Sequence, residues 1–444
     1  MRGVVISKSP SVVVAPSSEE VAVAAAAAAT AGDINLSSFD KTFGPLAITA
    51  LFVFEHPIQD QDPVESIKRG VSRALVHYYP LASRLAAGPA AGQVVIKCTG
   101  EGVPLVAASA NCAIKDVQQE LSDDPVLQQE LAVFYRPPAA ALQEEGEEEE
   151  EEEEEEGLWY SEAEPFVLLQ VTVFSCGGFV LGVTWKHCFA DGIGMGQFLQ
   201  AVGELARGLP SPSVVPDRKG GDTLLGLGMP PSYFELRRIL RQPSQMMTLL
   251  DITVHSSLIR SIKQRNSSDS SGPSPCCTSY CSSEEEDPAP ADAVAALTFV
   301  ANARKSAGAR EGYYGNCGTS RLVTATVAAV ASADIMDLVK MVQRAKDRVV
   351  TQADIDQLLL LHLDGYNYLS LTSWRNIGFE APDFGGGRPA RVRSCPRKRP
   401  PLPLCVTCLL SKEEEEFKVI SMCVTEDHAG AFLQELANIH TSLI

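Results

Sequence analysis

The stretch VLGVTWKHCFADGIGMG, residues 180–196, leads from an apolar run into a histidine, an aspartate and three closely spaced glycines. The apolar run predicts a buried strand that forms a hairpin with the run before it, PFVLLQVTVF at 165–174. His187 follows the end of this strand, and Asp191 comes four residues later. A neutral imidazole at a strand end is well placed to act as a general base at cellular pH, so His187 is the candidate base.

Asp191 and the glycines that follow it decide how this turn is interpreted. The aspartate can point toward the imidazole or away from it, and we favour an ion pair that holds the loop. Gly192, Gly194 and Gly196 are interpreted as letting the backbone turn sharply and approach a ligand closely. The alternative is a core histidine with all its hydrogen bonds made, beside an aspartate in a turn. The spacing alone fits this alternative equally well.

A second His-x-x-x-Asp occurs in HPIQD, residues 56–60, and its context differs. It follows a predicted strand at 46–55 and lies in a polar turn that contains a proline. No glycine-rich turn comes after it. We therefore predict that His56 and Asp60 lie on the surface.

Length and charge limit the classes of function. A chain of 444 residues is too long for one ordinary core and suits two domains. The formal charge is −19, but residues 144–156 hold twelve glutamates, so the remainder carries only −7. This balance argues against nucleic acid or anionic membrane as a partner. No apolar run reaches the roughly eighteen residues of a membrane-spanning helix.

The twelve cysteines form no disulfide framework, which favours a reducing compartment. The N-terminal segment lacks the basic start and single apolar core of a signal peptide, so a cytoplasmic location is expected. Cys405 and Cys408 have the spacing of half a metal site, but both fall in a predicted strand and are interpreted as core thiols. No metal is predicted. Cys188 is disfavoured as a nucleophile, because adjacent residues on an extended backbone point to opposite sides.

Strands and helices alternate in both halves of the chain, which indicates an α/β or α+β fold. The predicted strands lie at 11–15, 46–55, 93–98, 165–174, 179–185, 296–304, 320–327, 404–410 and 417–424. The predicted helices lie at 62–80, after Gly196, at 333–349 and at 426–439, and residues 251–265 are predicted as a strand that enters a helix. Residues 1–33 are interpreted as a loose leader and 36–44 as a turn.

The domain boundaries follow from changes in composition. We predict an N-terminal domain at 1–210, a crossover linker at 211–250 and a C-terminal domain at 251–444, with the proline-rich stretch at 208–216 marking the change. Residues 137–157 are predicted to be a disordered acidic loop, because like charges at this density repel one another and bury nothing.

A second candidate segment is LTSWRNIGFEAPDFGGGRPARV, residues 371–392. Its three consecutive glycines, Gly385 to Gly387, do not belong in a strand interior, so the segment alone reads as a loop. The overlapping basic run at 388–400 is interpreted as a solvated loop, with attraction of coenzyme phosphates as the second choice.

The pair HCFADG (187–192) and DFGGG (383–387) resembles the two motifs of the plant BAHD acyltransferases, which use coenzyme A thioesters. Further stretches are similar to segments of that family: LSSFD (36–40), ALVHYYPLASRL (74–85), LTFVANARK (297–305) and YYGNC (313–317). The resemblance implies an α/β fold of two similar chloramphenicol-acetyltransferase-like domains. Each would be a mixed β-sheet with helices, and an active-site channel would lie between them.

The resemblance also implies roles for individual residues. His187 corresponds to the base that takes a proton from an acceptor hydroxyl or amine. Trp374 and Thr372 match the positions thought to supply donors to the oxyanion. The structural residues at the active site would be Asp191, Gly192, Asp383, Gly385 and Arg304. Asp383 pairs in that family with an arginine of the second domain, and Arg304 is the candidate partner.

Two departures from the family pattern stand out. Gly386 occupies a position where the family usually has tryptophan, a change also found among its members. Residues 266–296 are short, acidic and contain two prolines at the place where the family has a helix, so a helix is expected to be missing.

The sequence therefore predicts a monomeric acyltransferase that moves an acyl group, aromatic in preference to acetyl, from acyl-CoA to a small-molecule alcohol or amine. Acyl-CoA would be a co-substrate, and no permanently bound cofactor is expected. One alternative is a non-catalytic or damaged relative that binds acyl-CoA or a partner without turnover. A third interpretation is a hydrolase that uses Cys188 and His187.

Overall fold

The computed structural model describes most of the chain. The described residues are 4–18, 32–44, 46–90, 92–117, 124–135, 164–218, 224, 247–267, 292–348, 367–397, 403–410 and 416–443. The predicted acidic loop at 137–157 lies outside the described residues. So do most of the predicted linker at 211–250 and most of the segment at 266–296 for which a missing helix was predicted.

The strands, in chain order, are β1 (Ile6–Lys8), β2 (Val12–Val14), β3 (Ile34–Asn35), β4 (Ala47–Phe54), β5 (Arg84–Ala87), β6 (Val94–Lys97), β7 (Val103–Ala110), β8 (Val167–Val173), β9 (Phe179–Lys186), β10 (Leu250–His255), β11 (Val294–Asn302), β12 (Gly318–Thr326), β13 (Tyr368–Ser373), β14 (Arg391–Ser394), β15 (Leu404–Leu410) and β16 (Glu416–Met422). The predicted strands are confirmed, whereas β1, β3, β5, β7, β13 and β14 were not predicted. Residues 391–394 form β14 inside the basic run, so the prediction of a solvated loop there was wrong, because this segment pairs with β4 and buries Val392.

The helices, in chain order, are α1 (Ser38–Lys41), α2 (Pro63–His77), α3 (Pro125–Glu130), α4 (Gly192–Ala206), α5 (Ser256–Ser267), α6 (Arg304–Ala307), α7 (Val327–Ser332), α8 (Ile335–Asp347) and α9 (Glu426–Leu443). Asp62 caps α2 through a hydrogen bond from the Glu65 amide, and Pro63 is its first residue, as predicted. The segment predicted as a turn at 36–44 contains the short helix α1 instead.

The chain divides into two compact units, each with segments from both halves of the sequence. The first unit comprises Met1–Leu225, Arg304–Cys317 and Asn376–Arg397. The second comprises Gly226–Ala303, Gly318–Arg375 and Lys398–Ile444. The predicted domain boundaries therefore differ from the division in the structure. Two segments of the predicted C-terminal domain cluster with the first unit, because their backbone packs against α4 and their strand β14 pairs with β4.

The first unit is built on a mixed sheet with strand order β1-β7-β8-β9-β4-β14, and β2 also pairs with β7. Only β7 and β8 run parallel in this sheet; the other pairs are antiparallel. A small second sheet has the order β3-β6-β5. Every residue of β9 is buried. A strand buried on both faces has no alternation of polar residues, which explains the continuous apolar run in the sequence.

Helices α2 and α4 pack together in the first unit. Arg69 and Arg73 of α2 donate hydrogen bonds to the carbonyl oxygens of Ala206 and Leu205 in the last turn of α4. The last carbonyls of a helix have no partner within the helix, so these contacts satisfy them and fix the direction of α4.

The second unit contains a mixed sheet with strand order β10-β16-β15-β13-β11-β12. The β11–β13 and β13–β15 pairs are parallel, and the other pairs are antiparallel. Helices α7 and α8 contact β12, and α5 contacts α8 and α9. The predicted α/β class with two sheet-rich units is confirmed. None of the described helices combines the length and the apolar character needed to span a membrane.

Candidate active site

His187 lies directly after β9, in the first unit. Its backbone amide donates a 2.7 Å hydrogen bond to the Leu46 carbonyl beside the start of β4. Its imidazole stacks on the ring of Phe43, with ring centroids 3.8 Å apart and an angle of 25° between the planes. The strand end and the stacked ring together restrict where the imidazole can lie.

The His187 imidazole is half-buried and suited to remain neutral. Its Nδ1 atom is buried and has no hydrogen-bond partner among the described residues. Burial lowers the pKa of His187 below its ordinary value, while the nearby Asp191 and Asp40 carboxylates and the Asn316 amide act in the opposite direction. A pKa below the ordinary value of histidine favours the neutral form of the ring at neutral pH.

Asp191 caps α4 and forms the ion pair that was expected. Its carboxylate accepts a 2.9 Å hydrogen bond from the Gly194 amide, so the residue is the N-cap of the helix. Both of its oxygens accept from the Arg304 guanidinium, at 2.8 and 3.0 Å, and Oδ2 also accepts from the Cys317 amide at 3.1 Å. Asp191 is thus saturated by structural donors, and it holds Arg304 and the segment around it against the start of α4.

The glycines after Asp191 make room for protein backbone. Gly192, Gly194 and Gly196 lie in the first turns of α4. A Cβ at Gly194 would overlap the Tyr314 carbonyl oxygen, and one at Gly196 would overlap the Ile377 carbonyl oxygen. The interpretation that these glycines allow a ligand to approach was wrong for these two positions, because segments from the second half of the sequence occupy that space.

The DFGGG motif lies at the other end of α4. Oδ2 of Asp383 pairs with Nη1 of Arg207, the C-cap residue of α4, at 2.7 Å. Oδ1 of Asp383 accepts hydrogen bonds from the amides of Gly385 and Gly387, at 2.8 and 3.1 Å, which closes the turn. The predicted pair between Asp383 and Arg304 was wrong, because Arg304 is already engaged by Asp191 at the start of the helix.

Thr372 and Trp374 belong to the second unit. Thr372 is a half-buried residue of β13, opposite Val406 of β15. Trp374 follows that strand, is buried, and donates its backbone amide to the Thr407 carbonyl at 2.9 Å. The structure thus gathers His187, Asp191, Gly192 and Arg304 at one end of α4 and places Asp383 and Gly385 at its other end.

The sequence analysis missed a buried polar group behind the histidine loop. Arg218 and Asn316 each donate a hydrogen bond to the Asp40 carboxylate and another to the loop: Arg218 donates to the Phe189 carbonyl, and Asn316 donates to the His187 carbonyl. A local signal existed for Asp40, because Ser37 and Asp40 have the spacing of a capping box and form one. No local signal marks Arg218 as its partner.

The three cysteines that the sequence analysis weighed, Cys188, Cys405 and Cys408, give no sign of metal or nucleophilic chemistry. Cys405 and Cys408 are buried in β15, as predicted. No group of three or more metal-ligating side chains occurs among the described residues. Cys188 is fully buried, and burial raises the pKa of its thiol to about 12, so it is not a thiolate at neutral pH.

The geometry is that of a histidine held at a strand end by contacts from distant parts of the chain, and comparison with known proteins identifies the family of the chain. A model of the Transferase family matches residues 14–401. The chain belongs to the BAHD acyltransferases.

Curated BAHD relatives match almost from end to end. Acyl transferase 15 of Oryza sativa subsp. japonica is 38% identical over 467 residues, which cover 98% of this chain and 99% of that protein. Myricetin 3-O-glucosyl 1,2-rhamnoside 6'-O-caffeoyltransferase AT2 of Crocosmia x crocosmiiflora is 27% identical, over 90% of this chain and 93% of its own.

A solved structure shares the fold. F. graminearum TRI101, complexed with coenzyme A and T-2 mycotoxin, has a TM-score of 0.64 to this chain. The alignment covers 90% of this chain and 97% of that chain at 14% sequence identity, so it shows the fold alone.

The glycine that departs from the BAHD pattern has a local reason in this chain. A Cβ at Gly386 would lie 2.6 Å from the Pro57 carbonyl oxygen and 3.0 Å from that of His56. The backbone of the HPIQD turn therefore occupies the space that the Cβ of any larger residue at position 386 would need. The tryptophan usual in the family does not fit this arrangement.

Proposed function

We propose that this BAHD protein transfers an aromatic acyl group from a coenzyme A thioester to a hydroxyl or amine of a small metabolite, with His187 as the general base. The observation that carries the proposal is the state of the imidazole. It is half-exposed, its Nδ1 is buried, and burial lowers its pKa. A neutral imidazole whose Nδ1 is buried has Nε2 left as the nitrogen that can accept a proton at neutral pH.

The proposed reaction uses this nitrogen in a single displacement. Nε2 of His187 takes the proton from the acceptor hydroxyl or amine as the nucleophile attacks the thioester carbonyl carbon. The negative charge that develops on the carbonyl oxygen needs hydrogen-bond donors, and Trp374 and Thr372 are proposed for this role. The carbonyl re-forms as the carbon–sulfur bond breaks, and the proton held by His187 passes to the departing thiolate, so coenzyme A leaves as its thiol.

The other proposed residues act on the frame and not on the substrate. Asp191, with Gly192 after it, caps α4 and holds Arg304. Asp383, with Gly385 in its turn, holds the far end of α4 through Arg207. These contacts support a structural role for each of them.

The donor and acceptor classes rest on the comparisons. One relative is named a caffeoyltransferase, and caffeoyl is an aromatic acyl group. TRI101, which shares the fold, was crystallised with coenzyme A and a small-molecule toxin. These names support acyl-CoA and a small-molecule acceptor as the partners of this chain. A cytoplasmic location and a monomeric state stay predictions from the sequence.

Different observations bear on the two rival functions, a hydrolase and a non-catalytic relative. The buried Cys188, with its raised pKa, disfavours the hydrolase interpretation. The non-catalytic interpretation depends on residues 266–296, most of which lie outside the described residues. A measurement of turnover by the full chain decides whether the protein is catalytic.

The test is release of free coenzyme A thiol by the purified full chain. Benzoyl-, p-coumaroyl- and acetyl-CoA are each offered with a panel of alcohols and amines, and acylated products are identified by mass spectrometry. The matched variants are His187→Ala and His56→Ala, which remove the histidine from either copy of the same pattern.

We expect acceptor-dependent thiol release that is faster with the aromatic donors than with acetyl-CoA. His187→Ala should lose roughly a hundredfold or more in kcat/KM, the usual contribution of a general base, and His56→Ala should match the wild type. Wild-type rates in His187→Ala would refute the assigned base. Absence of turnover with every donor from a cooperatively folded wild type would favour the non-catalytic relative.

A further inference from the structure

Asp40 is a buried carboxylate that the proposed reaction does not use. Its side chain is fully buried, and Oδ2 accepts hydrogen bonds of 2.8 Å from the Ser37 amide, the Ser37 hydroxyl and the Arg218 guanidinium. Oδ1 accepts from the amide and side chain of Asn316, at 3.2 and 2.9 Å. A buried ion pair is weak evidence of a role in stability alone, because desolvation offsets the attraction between the charges.

Both partners of Asp40 also hold the loop that carries His187. Nδ2 of Asn316 donates to the His187 carbonyl at 2.7 Å. Nη2 of Arg218 donates to the Phe189 carbonyl at 3.2 Å, and its guanidinium lies over the Phe189 ring at 5.5 Å. One carboxylate therefore fixes two backbone carbonyls of the loop through two different donors.

Asp40 reaches the imidazole by a second route. Together with Ser37 it forms the capping box of α1, and its carbonyl accepts a 3.4 Å hydrogen bond from the Phe43 amide. Phe43 is the ring on which His187 stacks. The same residue thus supports both the backbone under His187 and the aromatic surface against its ring.

The orientation of the Asn316 amide is fixed by chemistry. Its Nδ2 faces the Asp40 carboxylate and the His187 carbonyl, and both of these groups can only accept. Its Oδ1 consequently points elsewhere, and it is buried without a partner among the described residues. The Nδ1 atom of His187 is in the same condition. A buried acceptor and a buried donor site, on two residues already in contact, each lack a partner, which is costly unless they are satisfied.

We propose that Asn316, anchored by Asp40, is a positioning residue whose Oδ1 accepts a hydrogen bond from Nδ1–H of His187 when the acceptor substrate is bound. This bond holds the proton on Nδ1 and leaves Nε2 as the proton-accepting atom. The Asn316 side chain already acts on the ring by raising the pKa of His187, and catalytic hydrogen bonds often tighten when substrate binds. The inference rests on the proposed function of His187.

The charges around the imidazole set the expected direction of change. Asp191 and Asp40 are the charged groups that act on His187, and together with Asn316 they raise its pKa against the effect of burial. An acceptor at Nδ1 favours the protonated ring, so removing it should lower the pKa further. Placing a carboxylate at position 316 should raise the pKa instead.

The experiment compares Asn316→Ala with the double variant Asp40→Asn/Asn316→Asp in the full chain. The double variant exchanges the carboxylate and the amide, keeps the net charge of the two positions and a donor–acceptor pair between them, and loses the hydrogen bond to the His187 carbonyl. Asn438→Ala, at an exposed position of α9, is the matched control. The readouts are kcat against pH, which reports the pKa in the enzyme–substrate complex, and the ¹⁵N shifts of the His187 ring nitrogens with the acceptor bound, whose signals are those that His187→Ala removes.

We expect Asn316→Ala to lower kcat/KM about tenfold or more, less than His187→Ala does, with little change in the KM for the acyl-CoA. Its acid limb in the pH profile should move to lower pH, and that of the double variant to higher pH. The ring nitrogens should show Nδ1 protonated in the wild type and a mixture of tautomers in Asn316→Ala.

A lower melting temperature with an unchanged pH limb and unchanged tautomer would overturn the proposal and leave Asn316 a structural residue. If Asn316→Ala fails to fold, the double variant tests the proposal alone. An acid limb of the double variant that does not move to higher pH would contradict the proposed role of Asn316. Absence of turnover in the wild type would count against the proposed function instead, and the ¹⁵N shifts would still test the position of the proton.

Discussion

The two copies of His-x-x-x-Asp lie at opposite ends of the same pair of strands. Strands β4 and β9 are antiparallel neighbours, with Ala47 opposite Lys186 and Phe54 opposite Phe179. His56 follows the end of β4, and His187 follows the end of β9. At about 3.4 Å per residue, an eight-residue strand separates the two histidines by roughly 25 Å.

Their surroundings share nothing beyond the strand pair. His56 and Asp60 are exposed, and Asp60 has a left-handed backbone with φ of 53°. His187 stacks on Phe43, and Asp191 forms a two-pronged ion pair with Arg304. These contacts of His187 and Asp191 come from residues more than a hundred positions away, so the local pattern alone does not create the site.

The comparison also explains where the second family motif lies. Gly386 of DFGGG packs on the carbonyls of His56 and Pro57, at the end of the strand pair far from His187. The motif therefore supports the frame that holds α4 and β4. Its distance from the histidine within the first unit agrees with a structural role and with no direct part in proton transfer.

The largest effect on stability is expected from removing the negative charge of Asp191. Asp191→Asn should lower the free energy of unfolding by about 3 kcal/mol, because it leaves the mostly buried Arg304 without its counter-charge. Asp60→Asn should change it by no more than about 0.5 kcal/mol, since Asp60 is exposed and asparagine tolerates the left-handed backbone. Urea unfolding of the two variants measures the difference.

The pair Asp191–Arg304 can be isolated with Arg304→Gln and the double variant. Strong coupling predicts that the double variant loses far less than the sum of the single losses. Equal losses in Asp191→Asn and Asp60→Asn would mean that the two copies are equivalent in stability, and the comparison would fail.

A smaller effect is expected at Gly386. Gly386→Ala should cost about 1–3 kcal/mol, because its Cβ would lie 2.6 Å from the Pro57 carbonyl oxygen and the backbone must shift. The matched change Gly430→Ala in α9 meets nothing within 4 Å and should stabilise the helix by about 0.5–1 kcal/mol. Both are read from urea unfolding. An unchanged free energy of unfolding in Gly386→Ala would show that the HPIQD turn can shift at little cost.

The sequence predicted what depends on neighbouring residues. The hairpin of β8 and β9 and the cap at Asp62 follow from local patterns, and all are present. His187 at a strand end follows from the same local reading. The capping box of Ser37 and Asp40 was also readable, although the segment was interpreted as a turn.

What could not be predicted depends on the return of distant segments. Asp383 was paired with Arg304 from the family resemblance, and nothing in the sequence around Asp383 marks Arg207 as its partner. Gly194 and Gly196 indicate that another group packs closely against α4, but the sequence does not distinguish protein backbone from a ligand. The partners of Asp40, namely Arg218 and Asn316, require the fold before they become neighbours.

The pH dependence of activity should distinguish the two histidines. A base works unprotonated, so activity is present above its pKa and lost as the pH falls through it. Because burial lowers the pKa of His187, the acid limb of kcat/KM should lie below pH 6.5, the approximate value for an unperturbed histidine. The limb should be unchanged in His56→Ala. A limb above pH 6.5 in the wild type would contradict a desolvated base.

The same shift has a consequence for stability. Between the folded pKa of His187 and about 6.5, the unfolded chain binds more protons than the folded chain, so stability falls as the pH drops through this window. His187→Ala should reduce this dependence and His56→Ala should preserve it. Urea unfolding at several pH values between 5 and 8 provides the measurement; equal dependence in both variants would remove His187 as its source.

The smallest effect is expected where the structure departs from the family-based prediction. Arg207→Gln should cost under about 1 kcal/mol, because its pair with Asp383 is about a third exposed and is screened by water. Asp383 also keeps its hydrogen bonds from the Gly385 and Gly387 amides in that variant, so the turn stays closed. Arg304→Gln should cost several times more. Urea unfolding of Arg207→Gln and Arg304→Gln, each alone and combined with Asp383→Asn, shows which arginine interacts with Asp383. We expect the free energies of unfolding to be coupled for Asp383 and Arg207. Coupling between Asp383 and Arg304 instead would support the pair that the family resemblance predicted.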